Sequence, residues 1–91
     1  MKKHEKIILQ EIYDEYLTTG NPVDGNIIEH NFYFHDNLYN HGLFCLGIQQ
    51  LKIEGYIDFF VKNESLSTST LNYEKIILSK KGEQYVKTSN I

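Results

Sequence analysis

The sequence has no arginine; its nine lysines are outnumbered by twelve acidic residues, and the formal net charge is -3 at pH 7. Lys and Arg side chains supply most of the non-specific affinity of proteins for nucleic acid, because they neutralise phosphates. Strong electrostatic binding to duplex DNA is therefore not expected of an acidic chain without guanidinium groups. A local basic face is still compatible with this composition.

Cysteine is nearly absent as well. Cys45 is the single cysteine, so no internal disulfide can form, and we expect a reducing, cytoplasmic setting. The stretch MKKHEKIILQEIYDEY starts with basic residues, but polar side chains interrupt its apolar run before it reaches the length of a signal sequence. No other stretch approaches membrane-spanning length.

Motifs of common catalytic sites are also missing. The sequence has no Gly-rich phosphate loop, no nucleophile elbow and no paired-carboxylate signature. A chain of 91 residues with 41% hydrophobic content can close one modest core and leaves little room for a deep pocket. We expect one domain over residues 1–91, without enzymatic activity, cofactor or small-molecule substrate.

Hydrophobic periodicity predicts an amphipathic first helix from about His4 to Thr19. Ile8, Ile12 and Tyr16 recur every four residues and share one face. Gly20 follows at a position suited to a left-handed C-cap, so the helix is expected to end there.

A short second helix is predicted for about Gly25 to His30. Asp24 precedes it as the N-cap, and Ile27 and Ile28 are expected to be buried. The stretch NFYFHD that follows is predicted to be a connection. Its aromatic residues either plug the core or project as an anchor. These residues are Phe32, Tyr33 and Phe34.

The third predicted helix, about Asn37 to Glu54, has a wide apolar surface. With about 3.6 residues per turn, one face is expected to pack on the first two helices; it carries Phe44, Gly47, Ile48 and Leu51. An adjoining stripe carries Leu43, Leu46, Gln50 and Ile53. This apolar arc exceeds what a groove-reading helix needs. The second stripe is therefore either covered by the NFYF stretch or the C-terminal helix, or it binds another chain.

Gly55 is predicted to end the third helix, because a residue without a Cβ can adopt the left-handed C-cap conformation. The alternating segment YIDFFVK, 56–62, reads as a strand. A polar loop, 63–74, separates it from a second strand in KIILS, 75–79. KKGEQYVKTSN, 80–90, reads as a closing helix.

This order of elements resembles the winged helix-turn-helix arrangement, an α+β fold with three helices, a two-stranded β-wing and a short C-terminal helix. The segment LGIQQLKIEGYI looks like the usual helix-to-wing joint, and ILSKKGEQYV resembles the pattern that closes such domains. More narrowly, three segments and their positions along the chain are similar to those of the small YjcQ-type proteins of Firmicutes and their phages. The segments are IYDEYLTTGNPVD, IEGYI and LSKKGEQYV. The resemblance covers nearly the whole chain. It implies a phage or mobile-element setting but no particular activity.

The winged-helix resemblance implies duplex DNA as one partner, with the third helix in the major groove and wing cations on phosphates. The contacts would come from His41, Gln49, Lys52, Lys62, Lys75, Lys80 and Lys81. Two features oppose this. The commonest specific contact, Arg to guanine, cannot form, and the wing loop carries Glu64 and Glu74. The lysines equally fit a solvated face.

A metal site is not expected, although four possible ligands lie close together in the sequence. They are His30, His35, His41 and Cys45. His41 and Cys45 have the i to i+4 spacing that places two ligands on one helical face. The spacings match no zinc-finger pattern, so partly exposed polar residues are the expectation.

Net acidity and the second stripe of the third helix both favour a polypeptide partner. We expect a non-catalytic protein that acts by protein–protein interaction through Leu43, Leu46, Gln50 and Ile53, as a homodimer, as an inhibitor of a host factor such as a defence protein, or as both. A DNA-binding transcriptional regulator is the alternative. A further hypothesis, built on charge alone, is that surface acids imitate nucleic-acid charge towards a basic target. These acids are Glu11, Asp14, Glu15, Asp58 and Glu64.

Overall fold

The computed structural model describes residues 1–34, 41–59 and 75–89, without the side chain of His41. Within these ranges the chain is a small α+β domain of helices and a two-stranded antiparallel sheet. The helices are α1 (Lys3–Thr19), α2 (Gly25–Phe34), α3 (His41–Ile53) and α4 (Lys80–Ser89), and the strands are β1 (Ile57–Phe59) and β2 (Ile76–Leu78). The predicted loop 63–74, the strand residues 60–62 and the start of the third helix at 37–40 lie outside the described residues.

Helix α1 forms one side of the core and packs against α2, α3 and α4. Ile8 and Ile12 are fully buried, and Tyr16 packs on the same core. The helix ends at Gly20, which has a φ of 75° and donates its N–H to the carbonyl oxygen of Tyr16 at 2.8 Å. The predicted first helix and its glycine terminus are confirmed.

Helix α2 begins where the sequence predicts but continues further. Asp24 is the N-cap, since its Oδ1 accepts the N–H of Asn26 at 2.9 Å. The helix then runs to Phe34, so the prediction that NFYF is a connection was wrong. Phe32 lies four residues after Ile28, and both side chains share the buried face of α2. That shared burial explains the extension.

The exposed side of α2 corrects a second expectation. Ile27 was predicted to be buried but is 41% exposed, because it points away from the face that carries Ile28. The aromatic residues divide between the two possibilities left open by the sequence. The ring of Phe32 plugs the core, 5.4 Å from that of Phe44, whereas Phe34 projects and is 76% exposed.

The joint between α3 and β1 forms as the sequence predicts. Gly55 has a φ of 82°, and its N–H donates to the carbonyl of Lys52 at 3.0 Å. The N–H of Tyr56 donates to the carbonyl of Leu51, also at 3.0 Å. This pair of hydrogen bonds is the Schellman arrangement, which satisfies carbonyls at the helix end and reverses the chain at once.

Strand β2 has hydrogen-bonded neighbours on both edges. On one side it pairs antiparallel with β1, with Ile57 opposite Leu78. On the other, Val23 and Ile76 exchange both backbone hydrogen bonds, at 2.7 and 2.9 Å. The side-chain amide of Asn21 continues this edge by bonding both the N–H and the carbonyl of Leu78. The segment between α1 and α2 is thereby fixed to the sheet.

Ser79 connects β2 to α4 and to the α3–β1 joint. Its Oγ lies 2.7 Å from the carbonyl oxygen of Gly55 and 2.8 Å from that of Tyr56. The same oxygen accepts the N–H of Gly82 at 3.1 Å, which makes Ser79 the N-cap of α4.

Further along α4, the side chain of Lys87 is hydrogen-bonded to the carboxylate of Glu83, and this interaction raises the pKa of Lys87.

We expect Ser79→Ala to destabilise the domain by about 1–2 kcal/mol, the range for loss of an N-cap serine. Urea unfolding followed by circular dichroism measures this. Ser89→Ala, at the exposed end of α4, is the control and should change stability by less than about 0.5 kcal/mol. Equal effects of the two substitutions would show that Ser79 does not tie the elements together.

Candidate functional site: the outer surface of α3 and an adjoining groove

The inner face of α3 is fixed against the core as predicted. Phe44, Gly47, Ile48 and Leu51 are all buried. Gly47 allows close approach to α1, because a Cβ at this position would lie 2.5 Å from the Cδ1 atom of Ile8. This packing determines which side of α3 points to solvent.

The second stripe of α3 divides into exposed and half-buried residues. Leu46 is 63% exposed and Ile53 is 76% exposed, so no described segment covers them. Gln50 is half-buried, and Leu43 is half-buried and packs against the core. We define the α3 outer surface as Leu46, Gln49 and Ile53, which are all exposed.

A groove of about 510 Å³ lies beside this surface, between α3 and the start of α1. On the α3 side it is lined by Leu43, Leu46, Gln50 and Glu54. The opposite wall includes His4 and Glu5. Three of the four predicted interface residues therefore meet in this α1–α3 groove, whereas Ile53 lies outside it on the α3 outer surface.

Two carboxylates in the α1–α3 groove have few partners. Glu5 is 4% exposed, and its Oε2 lies 3.9 Å from Nε2 of His4, beyond hydrogen-bond distance. The Oε2 atom of Glu54 is shielded from solvent and has no hydrogen-bond partner in the described part of the chain. Buried polar atoms normally have such partners, so Oε2 of Glu54, beside the buried side chain of Glu5, marks the groove as a candidate binding site.

Sequence reasoning missed both carboxylates, although one left a signal. Glu5 precedes Ile8, Leu9 and Ile12 at helical spacing and therefore belongs to the buried face of α1. A charged residue on a buried face is uncommon unless it is paired. For Glu54 no comparable pattern exists, because its burial depends on how α3 meets the start of α1.

Lys52, one of the predicted DNA contacts, is engaged within the domain. Its Nζ donates to the carbonyl oxygen of Phe59 at 3.0 Å and lies 3.5 Å from Oδ1 of Asp58. It also lies 4.5 Å from the centroid of the Phe59 ring. The lysine thus fastens β1 to the last turn of α3.

Lys81 has a similar internal role. Its Nζ donates to the carbonyl oxygen of Glu54 at 2.6 Å and lies 4.6 Å from the centroid of the Tyr56 ring. It therefore complements the C-terminal end of α3. Lys75 and Lys80 are exposed. Lys62 and the side chain of His41 lie outside the described residues.

The structure describes the side chains of two of the four residues considered as metal ligands, His30 and Cys45. His30 is exposed and contacts the ring of Phe34, with centroids 4.8 Å apart. Cys45 is half-buried against the core. Within residues 1–34, 41–59 and 75–89, no group of three or more His, Cys, Asp or Glu side chains is arranged to hold a metal ion. His35 lies outside those ranges.

Apart from the buried Glu5, the acidic residues of α1 are exposed or half-buried. Asp14 is exposed and accepts a hydrogen bond from Gln10 at 2.9 Å, and Glu11 and Glu15 are half-buried. Asp58 is exposed but pairs with Lys52, and Glu64 lies outside the described residues.

Among the described helices, none is both long enough and apolar enough to cross a bilayer.

Comparison with protein-family models, with curated proteins and with solved structures gave no match. The function of this chain is therefore inferred from the geometry of α3 and its surroundings.

Proposed function

We propose that this protein is a non-catalytic binding protein that uses the α3 outer surface to contact another polypeptide. The observation that carries the proposal is the exposure of Leu46 and Ile53, two turns apart on one helix. Full burial of a leucine or isoleucine side chain contributes roughly 1.5–3 kcal/mol. The two residues together can therefore anchor an interface with a second copy of this chain or with a host protein.

The arrangement of the described elements supports a winged helix-turn-helix domain. The described helices α1, α2 and α3 are followed by the antiparallel strands β1 and β2 and by α4, which is the order of elements expected for that fold. The third helix is then the usual contact helix. We further propose, on the resemblance to small YjcQ-type proteins, a phage or mobile-element protein that acts in the cytoplasm on a host factor such as a defence protein.

Duplex DNA is the second candidate partner, since the winged-helix layout favours it. On this protein the contact helix presents Leu46 and Ile53, while Lys52 and Lys81 bond backbone carbonyls within the domain. The formal net charge of -3 also opposes binding to phosphates. Among the exposed candidates, Gln49, Lys75 and Lys80 would carry most of a DNA interaction.

Substitution of the exposed apolar residues tests the proposal. Leu46→Asp and Ile53→Asp should change the unfolding free energy by no more than about 0.5 kcal/mol, because both side chains are mostly exposed. Each should abolish co-purification of the partner, detected with a second tagged copy of this chain and with extract of the host. Leu17→Asp is a matched control, since Leu17 is also 63% exposed but lies on α1.

Two results would contradict a polypeptide partner. In the first, Leu46→Asp and Ile53→Asp retain every partner that the unmodified chain retains. In the second, the protein retards duplex DNA at low salt and Lys80→Ala removes the retarded band. The second result would establish the DNA-binding alternative.

A further inference from the structure

We propose that the α1–α3 groove receives a lysine or arginine side chain from the polypeptide partner. This inference rests on the proposed function and assigns the chemistry of the residue that the partner inserts. It begins from the two carboxylates, Glu5 and Glu54, which line the same groove.

Among the described residues, neither carboxylate has a strong cationic partner. Glu5 is 4% exposed, and its described ionic contact is with His4 at 3.9 Å. The shielded Oε2 of Glu54 receives no hydrogen bond from the described residues. Burial of a charge is unfavourable unless it is paired, so a cation that enters this groove would donate charge-assisted hydrogen bonds to these carboxylates.

Nearby lysines do not fill this role. Lys2 also lines the groove, but it is exposed, and no ion pair among the described residues joins it to Glu5 or Glu54. Lys81 bonds the backbone carbonyl of Glu54 and thus stabilises the helix end. Within the described part of the chain, no lysine therefore pairs with either carboxylate, and a cation from the partner can bind them.

The remaining lining of the groove fits a long aliphatic side chain with a charged end. Leu43 and Leu46 provide apolar contact, and Gln50 provides an amide close to the acids. Lys and Arg side chains bury their methylene stems against such apolar surface. A metal ion fits less well, because no cluster of three ligating groups exists in the described ranges. Leu46 lines the groove and also belongs to the α3 outer surface, so the groove lies at the edge of the proposed interface.

A titration with two synthetic peptides tests this charge recognition. The first is an acetylated, amidated peptide with one arginine flanked by leucines, and the second replaces that arginine by neutral citrulline. Amide chemical shifts of the labelled protein report both the site and the affinity. We expect the arginine peptide to perturb the start of α1 and α3, and citrulline to weaken binding about tenfold, the effect of a lost hydrogen bond to a charged group.

Glu54→Gln should weaken binding of the arginine peptide by about tenfold and leave the citrulline peptide unaffected. Glu15→Gln removes an acid on α1 outside the groove and should change neither affinity. Equal affinities for the two peptides, failure of both to bind, or an unchanged affinity in Glu54→Gln would overturn the inference.

These results separate failure of this inference from failure of the proposed function. If Leu46→Asp removes the partner but arginine and citrulline bind alike, the polypeptide interface stands and the cation pocket is refuted. If Leu46→Asp retains every partner, the proposed function itself fails.

Discussion

Gly82→Ala is expected to destabilise the domain by roughly 3 kcal/mol or more, at the upper end of the range for forced overpacking. A Cβ on Gly82 would overlap the carbonyl oxygen of Tyr56 and lie 2.8 Å from Cδ1 of Leu78. The Tyr56 carbonyl cannot retreat easily, because it accepts hydrogen bonds from the N–H of Ser79 at 3.1 Å and from its Oγ at 2.8 Å. Relief of the overlap would require α4 to move away from the α3–β1 joint.

Equilibrium denaturation in urea measures this effect. The control is Gln84→Ala, two residues further along α4 at an exposed position, which should leave the midpoint nearly unchanged. If Gly82→Ala were as stable as Gln84→Ala, α4 would not pack against the joint at Tyr56. The close approach of α4 to the Tyr56 carbonyl would then be absent.

Phe32→Ala is expected to destabilise the domain by about 3–5 kcal/mol, as is usual when a buried phenylalanine is truncated. Phe32 is fully buried, and its ring lies 5.4 Å from that of Phe44 on α3. Truncation would leave a cavity between α2 and α3, and the surrounding side chains would lose their contacts with the ring.

Phe34→Ala provides a matched control on the same helix. Phe34 is 76% exposed and contacts His30, so its truncation should change stability by less than about 0.5 kcal/mol. Thermal unfolding of the two variants side by side distinguishes them. A similar loss in both would mean that α2 does not present Phe32 inward, and that the core is assembled differently.

Local signals in the sequence predicted the elements that local interactions determine. Gly20 and Gly55 end their helices in positive-φ conformations, and Asp24 caps α2, as expected from residue type and spacing alone. The periodicity of α3 also identified its buried face. These features depend on a few neighbouring residues, which is why one sequence suffices to predict them.

Features that depend on distant parts of the chain were missed. The carbonyl that Lys81 binds belongs to Glu54, 27 residues earlier, and nothing in the local pattern distinguishes this lysine from a solvated one. The amide of Asn21 bonds Leu78, 57 residues away. In α2, the run of aromatic residues was interpreted as a connection, and the helical spacing of four residues between Ile28 and Phe32 was overlooked.

The candidate site was predicted in part. The sequence placed Leu46 and Ile53 on a second stripe, and both are exposed in the structure. It could not show that Leu43 packs partly on the core, nor that Gln50 and Glu54 would meet the start of α1 in a groove. Those relations follow from how α1 crosses α3, which the close contact at Gly47 determines.

Photo-crosslinking from the α3 outer surface would test most directly whether it contacts another polypeptide. Benzoylphenylalanine replaces Leu46 in one protein and Leu17, the equally exposed leucine of α1, in another. After irradiation in host cells, we predict a discrete polypeptide adduct, with a second copy or a host protein, from position 46 and none from position 17. Adducts of equal yield from both positions, or an adduct of position 46 with duplex DNA alone, would contradict the proposal.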